Sequence, residues 1–145
     1  MIKILVLNGP NLNMLGIREP SIYGYDTLDS INKEIKEYAD TLGVYCDFYQ
    51  SNHEGDLVDK IQSVYTEYDG CVINAGAYTH YSYAIRDAIA SVGKPFIEVH
   101  ISDISAREEF RQKSVITEVC KKIIAGYGKE GYKMAVKAVV DILNG

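Results

Sequence analysis

The chain has 145 residues, of which 47% are hydrophobic and 24% charged, and its formal net charge is -5. This length and composition are those of an ordinary globular domain, so we expect residues 1–145 to form a single domain. The acidic balance argues against a nucleic-acid surface, and no apolar run approaches the roughly 18 residues of a membrane span, which leaves small molecules and other protein chains as expected partners.

Short apolar runs alternate along the chain with segments of helical period. The runs predict five strands, at residues 2–7, 45–50, 71–74, 96–99 and about 123–125, and the periodic segments predict helices at 27–42, 56–68, 82–92 and about 132–143. Strands that alternate with helices form a parallel sheet covered on both faces. The expected fold is therefore α/β, a flavodoxin-like three-layer sandwich with a five-stranded parallel sheet.

A long polar segment, residues 8–24, follows the first predicted strand and has neither helical nor alternating period. Ligands of open α/β sheets bind outside the carboxyl ends of the strands, so chemistry is expected here first. The segment contains Asn11, Arg18 and Tyr23, and Pro20 interrupts any helix between Arg18 and Tyr23. These two side chains can meet only if the segment folds back as a lid.

Polar residues also follow the second, third and fourth strands, and all three histidines of the chain, His53, His80 and His100, lie there. Since parallel strands end at one edge, we expect the histidines to converge with Asn74 and Glu98. A lone histidine at a strand end is more often structural, but three on one rim favour a catalytic role. Histidine titrates near neutral pH, which suits it to acid/base work.

Two other kinds of site fit the residues less well. Glu98 and His100 are two apart and share one face of a strand, but the sequence has no second metal-ligand pair such as His-x3-His or Cys-x2-Cys, so we expect no metal. A nucleophile is also disfavoured, because there is no Gly-x-Ser-x-Gly elbow and each cysteine lies in an apolar pattern.

The cysteines, Cys46, Cys71 and Cys120, are odd in number and far apart, which suits neither a disulfide framework nor a zinc ribbon. The sequence also goes from Met1 directly into a strand-like run without a signal-peptide pattern. We therefore expect reduced thiols and a cytoplasmic location.

Tyr23 can act as a base near neutral pH only beside a cation, because an unperturbed phenol titrates near about pH 10. Arg18 is the nearest permanent cation in the sequence. Lowering the pKa by about 2.5 units requires roughly 3.4 kcal/mol, and one adjacent opposite charge supplies about 1–3 units. The other reading, that Tyr23 is one of twelve tyrosines and merely packs the lid, stays open.

Arg107 and Arg111 are four residues apart, a helical spacing that directs both guanidinium groups to one side, where they could bind a carboxylate. The alternative is a solvated helix start in which Glu108 and Glu109 pair locally with the arginines. The sequence leaves both readings open.

Five motifs occur in order along the chain: NGPNLNxLGxREPxxYG at 8–24, QSNHEG at 50–55, INxGAYTH at 73–80, EVH at 98–100 and REEFR at 107–111. Each is short, but all five in this order and at these separations are highly specific. By these motifs the chain resembles the type II 3-dehydroquinate dehydratase family over essentially its full length.

The resemblance implies reversible dehydration of 3-dehydroquinate to 3-dehydroshikimate in the shikimate pathway, through an enolate and without metal or organic cofactor. It implies that Tyr23 removes a proton from C2, that Arg18 lowers the pKa of Tyr23 and closes the lid, and that Asn11 stabilises the enolate through an ordered water. His100 would protonate the departing C1 hydroxyl, and Glu98 would orient the His100 imidazole.

The resemblance also implies the substrate contacts. The carboxylate would bind Asn74, the backbone amides of Ile101 and Ser102, and the Ser102 hydroxyl. His80 and Arg111 would bind the ring hydroxyls.

Further implications concern the rim of the site and the assembly. Arg107 would be a second cation near the lid, and Asp87 would reach a neighbouring subunit's site, making a trimer the functional unit and a dodecamer of four trimers the assembly. Tyr81 and Asp103 depart from the family pattern close to the site, where we expect them to bear on substrate affinity rather than on reaction type.

Two rival functions fit the sequence less well. A flavodoxin-like domain that binds a nucleotide or flavin is disfavoured, because the first loop lacks both the Gly-x-x-x-x-Gly-Lys-Ser/Thr and the Gly-x-Gly-x-x-Gly patterns. A dehydratase that forms a lysine Schiff base is disfavoured because no lysine occurs in the predicted site loops before Lys113.

Overall fold

A five-stranded sheet lies at the centre of the computed structural model, which describes residues 1–17, Ser21 and 25–145. Its strands are β1 (Lys3–Asn8), β2 (Tyr45–Gln50), β3 (Gly70–Asn74), β4 (Phe96–His100) and β5 (Lys122–Ala125). Every pairing is parallel and the order is β2-β1-β3-β4-β5. The predicted parallel sheet is confirmed.

Helices cover both faces of the sheet. In the described part of the chain they are α1 (Leu28–Leu42), α2 (Glu54–Glu67), α3 (Tyr83–Val92) and α4 (Glu130–Asn144). The buried side chains of α1 and α4 belong to one apolar cluster, and those of α2 and α3 to a second cluster on the other side of the sheet. The predicted three-layer sandwich is therefore confirmed. None of the described helices is long and apolar enough to cross a membrane.

Each element begins and ends within two residues of its predicted position. The largest differences are at helix starts, because the apolar period marks a helix only from its first buried residue. In α2 that residue is Leu57, whereas the helix begins at Glu54, where acidic side chains favour the positive end of the helix dipole. Thr27 and Ser82, predicted as helical, instead cap α1 and α3 by accepting backbone N–H bonds.

The loops that follow β1 and β3 touch backbone to backbone at the carboxyl edge. Gly9 donates its N–H to the carbonyl of Asn74 at 2.8 Å. A Cβ atom on Gly9 would lie 2.5 Å from the carbonyl oxygen of Ala75, and one on Gly76 would lie 2.9 Å from that of Pro10. Only glycine allows this approach, which fixes the separation of the first and third strand-end loops.

Replacing Gly9 by alanine is therefore expected to lower the free energy of unfolding by about 1–3 kcal/mol, since backbone rather than a flexible side chain must move. Gly55→Ala is the matched control, because Gly55 lies in α2 and a methyl group added there would have nothing within 4 Å. That change should raise stability by about 0.4–1 kcal/mol. Denaturant unfolding at one protein concentration measures both, and equal stabilities for Gly9→Ala and the wild type would contradict the close approach.

Candidate active site

A cleft opens at the carboxyl edge of the sheet, between the loops that follow β1, β3 and β4. Among the described residues that line it are eight of the predicted site residues: Asn11, Asn74, His80, His100, Ile101, Ser102, Arg107 and Arg111. They come from four of the five sequence motifs and the residues just after them, and the parallel sheet brings them together because its strands end at the same edge.

The other predicted site residues are not among the described residues that line the cleft. Glu98 is buried beneath the cleft and does not line it. Asp87 lies on α3 and is not among the described residues that line the cleft. Arg18 and Tyr23 lie outside the described residues, so their roles stay predictions. His53 was expected to converge with the other two histidines. It instead precedes α2 and is not among the described residues that line the cleft.

Glu98 and His100 form a close pair on one face of β4. The Nε2 atom of His100 lies 2.5 Å from Oε2 of Glu98, and the carboxylate has no exposed surface. Two hydroxyl groups also donate to it, Ser114 Oγ at 2.9 Å and Thr117 Oγ1 at 2.5 Å. Glu98 thus has donors from three side chains.

These donors keep Glu98 ionised inside the protein. Burial alone would raise the pKa of Glu98, but the hydrogen bonds from His100, Thr117 and Ser114 outweigh it and hold the pKa below its usual value. An ionised carboxylate only accepts hydrogen bonds, so the proton between the pair lies on Nε2 of His100. This arrangement leaves Nδ1 as the ring nitrogen that is not bonded to Glu98.

The segment 113–117 connects Glu98 to His80 as well. The Nδ1 atom of His80 lies 2.6 Å from the carbonyl oxygen of Lys113, which can only accept, so Nδ1 carries a proton. Burial lowers the pKa of His80 despite that carbonyl. The lowered pKa favours the neutral ring, in which Nε2 is an acceptor suited to a hydroxyl group.

Helix α3 braces the same segment. Nη1 of Arg86 donates to the carbonyl of Val115 at 2.7 Å, and the amide of Val115 donates to the carbonyl of Thr79 at 2.8 Å. The segment is thus held on two sides while it supports Glu98 and His80. Sequence reasoning did not find Ser114 or Thr117, because hydroxyl residues in a loop give no signal by themselves.

The two arginines, Arg107 and Arg111, line the cleft from a local structure that differs from the predicted helix. Residues 105–111 do not form one helix: Ile104–Ala106 and Glu109–Arg111 are separate 3-10 turns, and Glu108 between them has φ -55 and ψ 151, which lies outside the helical region. The expected helical spacing is therefore wrong, although both arginines line the cleft. Arg111 also pairs locally with Glu108, Nε to Oε2 at 2.7 Å, and Arg107 donates to Ser102 Oγ at 3.3 Å.

Asn11 stands in the left-handed region with φ 68, which asparagine tolerates better than most residues. The backbone N–H of Asn11 donates to Oδ1 of Asn52 at 3.0 Å, and Gln50 Nε2 donates to the same oxygen at 3.2 Å. The motif at 50–55 therefore supports the first loop rather than contributing to the described cleft lining.

Two of the departures from the family pattern, Asp103 and Tyr81, contact residues that are not among the described lining of the cleft. The carboxylate of Asp103 accepts hydrogen bonds from the amide and hydroxyl of Ser105, and Tyr81 packs edge-to-face on Tyr78 with ring centroids 5.7 Å apart. Neither Asp103 nor Tyr81 is among the described residues that line the cleft. Within the described ranges, no group of three or more His, Cys, Asp or Glu side chains is placed to hold a metal ion.

Comparison with known proteins identifies relatives along the whole chain. Residues 2–140 match the model of a family described as dehydroquinase class II. The 3-dehydroquinate dehydratase of Carboxydothermus hydrogenoformans is 55% identical over 97% of this chain and 92% of its own length. That of Anoxybacillus flavithermus is 52% identical over 100% of this chain and 98% of its own.

Solved structures agree with these relatives. The crystal structure of type II dehydroquinase from Butyrivibrio crossotus superposes with a TM-score of 0.94 at 54% identity, covering 96% of this chain and 97% of that one. The type II dehydroquinase from Propionibacterium acnes gives a TM-score of 0.93 at 41% identity, covering 100% and 98%.

The hydroxyl donors of Glu98 give a prediction for stability and its pH dependence. Ser114→Ala with Thr117→Val leaves buried acceptor sites unpaired, which is expected to cost about 1–3 kcal/mol per lost donor. Because the native pKa of Glu98 is lowered, its contribution to stability is present above the unfolded-state pKa of about 4.3 and is lost as the pH falls below it. In the double variant the native pKa rises towards the unfolded-state value, so less stability is lost as the pH falls and the pH profile is flatter than that of the wild type.

Denaturant unfolding between about pH 3 and pH 7, a range that spans the carboxylate titration, measures this effect. Ser63→Ala is the control, because the Ser63 hydroxyl donates to the Lys60 carbonyl within α2. Parallel pH profiles for the wild type and the double variant would contradict the assigned role of the two hydroxyl groups.

Proposed function

Because the chain belongs to the dehydroquinase class II family, we propose that it converts 3-dehydroquinate to 3-dehydroshikimate through an enolate, with Tyr23 as base and His100 as acid. The activity of this family is that of a hydro-lyase, and the reaction it catalyses is a step of the shikimate pathway. The observation that most supports the acid is the buried, ionised Glu98 carboxylate against His100, in a cleft that also contains Asn74, His80 and Arg111.

In the proposed elimination, His100 gives a proton to the C1 hydroxyl as the C1–O bond breaks, and the hydroxyl leaves as water. Glu98 keeps its hydrogen bond to Nε2 throughout and fixes the plane of the ring. Since Nε2 keeps its hydrogen on Glu98, the proton that is given up comes from Nδ1, the other ring nitrogen. Glu98 thus orients the acid without exchanging a proton with the substrate.

The proposed base is supported by the sequence alone, since Tyr23 and Arg18 lie outside the described residues. Tyr23 takes the proton from C2, and the charge moves onto the carbonyl oxygen as an enolate. Arg18, with Arg107 as a second cation, lowers the pKa of Tyr23 and closes the lid. Asn11, in the cleft, stabilises the enolate through an ordered water.

We propose the substrate contacts that the family resemblance implies, and the groups concerned share the cleft. The carboxylate lies against Asn74, the amides of Ile101 and Ser102, and the Ser102 hydroxyl. Arg107 donates to that hydroxyl and brings positive charge beside the carboxylate position. The ring hydroxyls lie against His80 Nε2, an acceptor, and Arg111, a donor.

The proposal extends to the assembly. Residues 1–145 act as one catalytic domain. Asp87 reaches the cleft of a neighbouring subunit. This is compatible with its place on α3, where it is not among the described residues that line its own cleft. A trimer is then the functional unit, and four trimers form a dodecamer. The enzyme works in the cytoplasm, with its three cysteines as free thiols. It uses no metal or organic cofactor.

A Schiff-base route has no support from the described part of the cleft, because no lysine is among its lining residues. The acid/base route therefore remains the proposal.

Tyr23→Phe tests the base. Loss of the phenol oxygen is expected to lower kcat by roughly 10²–10⁴-fold, the range of a general-base contribution. The ultraviolet absorbance of the conjugated enone measures turnover, and Tyr25→Phe is the matched control because Tyr25 is 82% exposed. Near-normal turnover in folded Tyr23→Phe would contradict the role of Tyr23 as the base. An inactive, fully assembled wild type would contradict the proposed function.

His100→Ala tests the acid. It is expected to slow elimination of the hydroxyl, and a substrate with a better leaving group at C1 should partly restore the rate, since such a group departs without a proton. His53→Ala is the control, a histidine outside the described cleft lining, and should turn over like the wild type. If the leaving group makes no difference to His100→Ala, His100 is not the acid for that step.

A further inference from the structure

A tyrosine from the last helix meets two strand ends inside the protein. Tyr132 of α4 has no exposed surface, and its hydroxyl lies between the side chains of Asn8 and Asn74. These asparagines are the last residues of β1 and β3 and face each other in the register of the sheet. The Tyr132 oxygen is 2.6 Å from Asn8 Oδ1 and 3.0 Å from Asn74 Nδ2.

The donors and acceptors in this group fix one orientation of the Asn74 amide. The backbone N–H of Gly76 can only donate, and it lies 3.2 Å from Asn74 Oδ1. Nδ2 of Asn74 is therefore the atom that faces Tyr132, and it donates to the phenol oxygen. The single phenol hydrogen then goes to Asn8 Oδ1. Reversing the Asn74 amide would lose the bond to Gly76 and the bond to Tyr132 together.

This leaves one hydrogen of Asn74 Nδ2 without a partner in the group. Asn74 lines the cleft at 4% exposure, so that hydrogen is the one available to a ligand. A cleft that presents an N–H here favours an anion, whereas the reversed amide would present a carbonyl oxygen and repel one.

We propose that Tyr132 is a positioning residue for substrate binding, which acts by holding the Asn74 amide with its N–H toward the substrate carboxylate. Asn8 accepts the hydrogen bond from the phenol and so leaves the phenol oxygen as an acceptor for Asn74. The inference rests on the function proposed above and on the contact proposed for Asn74.

The hydroxyl, rather than the ring, carries this role. The ring packs in the apolar cluster with Ala135, Val136 and Val139, where a phenylalanine ring would make the same contacts. A buried hydroxyl is stable only with partners, and the partners here are two side chains at the edge of the cleft.

Tyr132→Phe tests the inference by steady-state kinetics of enone formation. The loss of one fixed hydrogen bond is expected to raise KM by roughly 5- to 10-fold while kcat stays within about threefold, because ground state and transition state lose the same contact. Tyr68→Phe is the matched control. Tyr68 is 5% exposed and donates to Asp47 Oδ2 far from the cleft, so the same atom is lost and KM should not change.

A double-mutant cycle shows whether Tyr132 acts through Asn74. Asn74→Ala should raise KM on its own, and adding Tyr132→Phe should then change KM no further. A merely structural hydroxyl would instead lower the thermal midpoint of unfolding and leave KM unchanged. If Tyr132→Phe fails to fold, Asn8→Ala replaces it. The phenol hydrogen, no longer accepted by Asn8, then favours the reversed Asn74 amide with Oδ1 as its acceptor, and the same rise in KM is expected.

The outcomes separate the inference from the function beneath it. An active wild type in which Asn74→Ala raises KM, but Tyr132→Phe or Asn8→Ala does not, overturns the inference and leaves the proposed function standing. A normal KM in Asn74→Ala overturns both the carboxylate contact and the inference, and an inactive wild type overturns the function with them. A rise in KM that is additive with Asn74→Ala shows that Tyr132 acts by another route and also overturns it.

Discussion

One buried negative charge organises this site. A carboxylate without exposed surface is costly to keep ionised, by several kcal/mol if it stands alone, so it requires donors that the protein places around it. Glu98 has three: His100 from its own strand, and Ser114 and Thr117 from the segment 113–117. Because those hydroxyl groups must reach the carboxylate, the segment passes close to β4, and its Lys113 carbonyl there sets the tautomer of a second histidine.

The sheet explains why such a group can form at all. In a parallel sheet covered on both faces by helices, the carboxyl edge is where loops from every strand meet, and where polar side chains need not be buried among apolar ones. The backbones of the first and third loops touch at Gly9, so those two loops keep one separation. Helix α3 adds a brace from the side, through Arg86, to the segment that supports the pair of Glu98 and His100.

The parts of this structure that local patterns determine could be predicted from the sequence. Apolar runs and helical periods are local, so the strands, the helices and the edge where polar residues meet were all predictable, and the family motifs selected most of the cleft. The parts that depend on distant contacts were not. A spacing of four did not show that Glu108 interrupts the helix, and nothing local distinguishes Ser114 or Thr117 from other loop hydroxyl residues. Tyr132 was predicted only as the start of the last helix, without a role for its hydroxyl group, because only the folded sheet supplies partners for that oxygen.

The contact between Tyr132 and Asn8 joins residues 124 positions apart, one in the first strand and one in the last helix. A chain emerging from the ribosome can form β1 and its neighbours early, but it cannot complete this contact until α4 has been synthesised and released. Domains generally fold as units during synthesis, and contacts of such long range form late. A polypeptide interrupted before its final helix would therefore carry the proposed acid/base residues and lack the Tyr132 contact that we infer sets Asn74, so the proposed substrate contact forms only once α4 is in place.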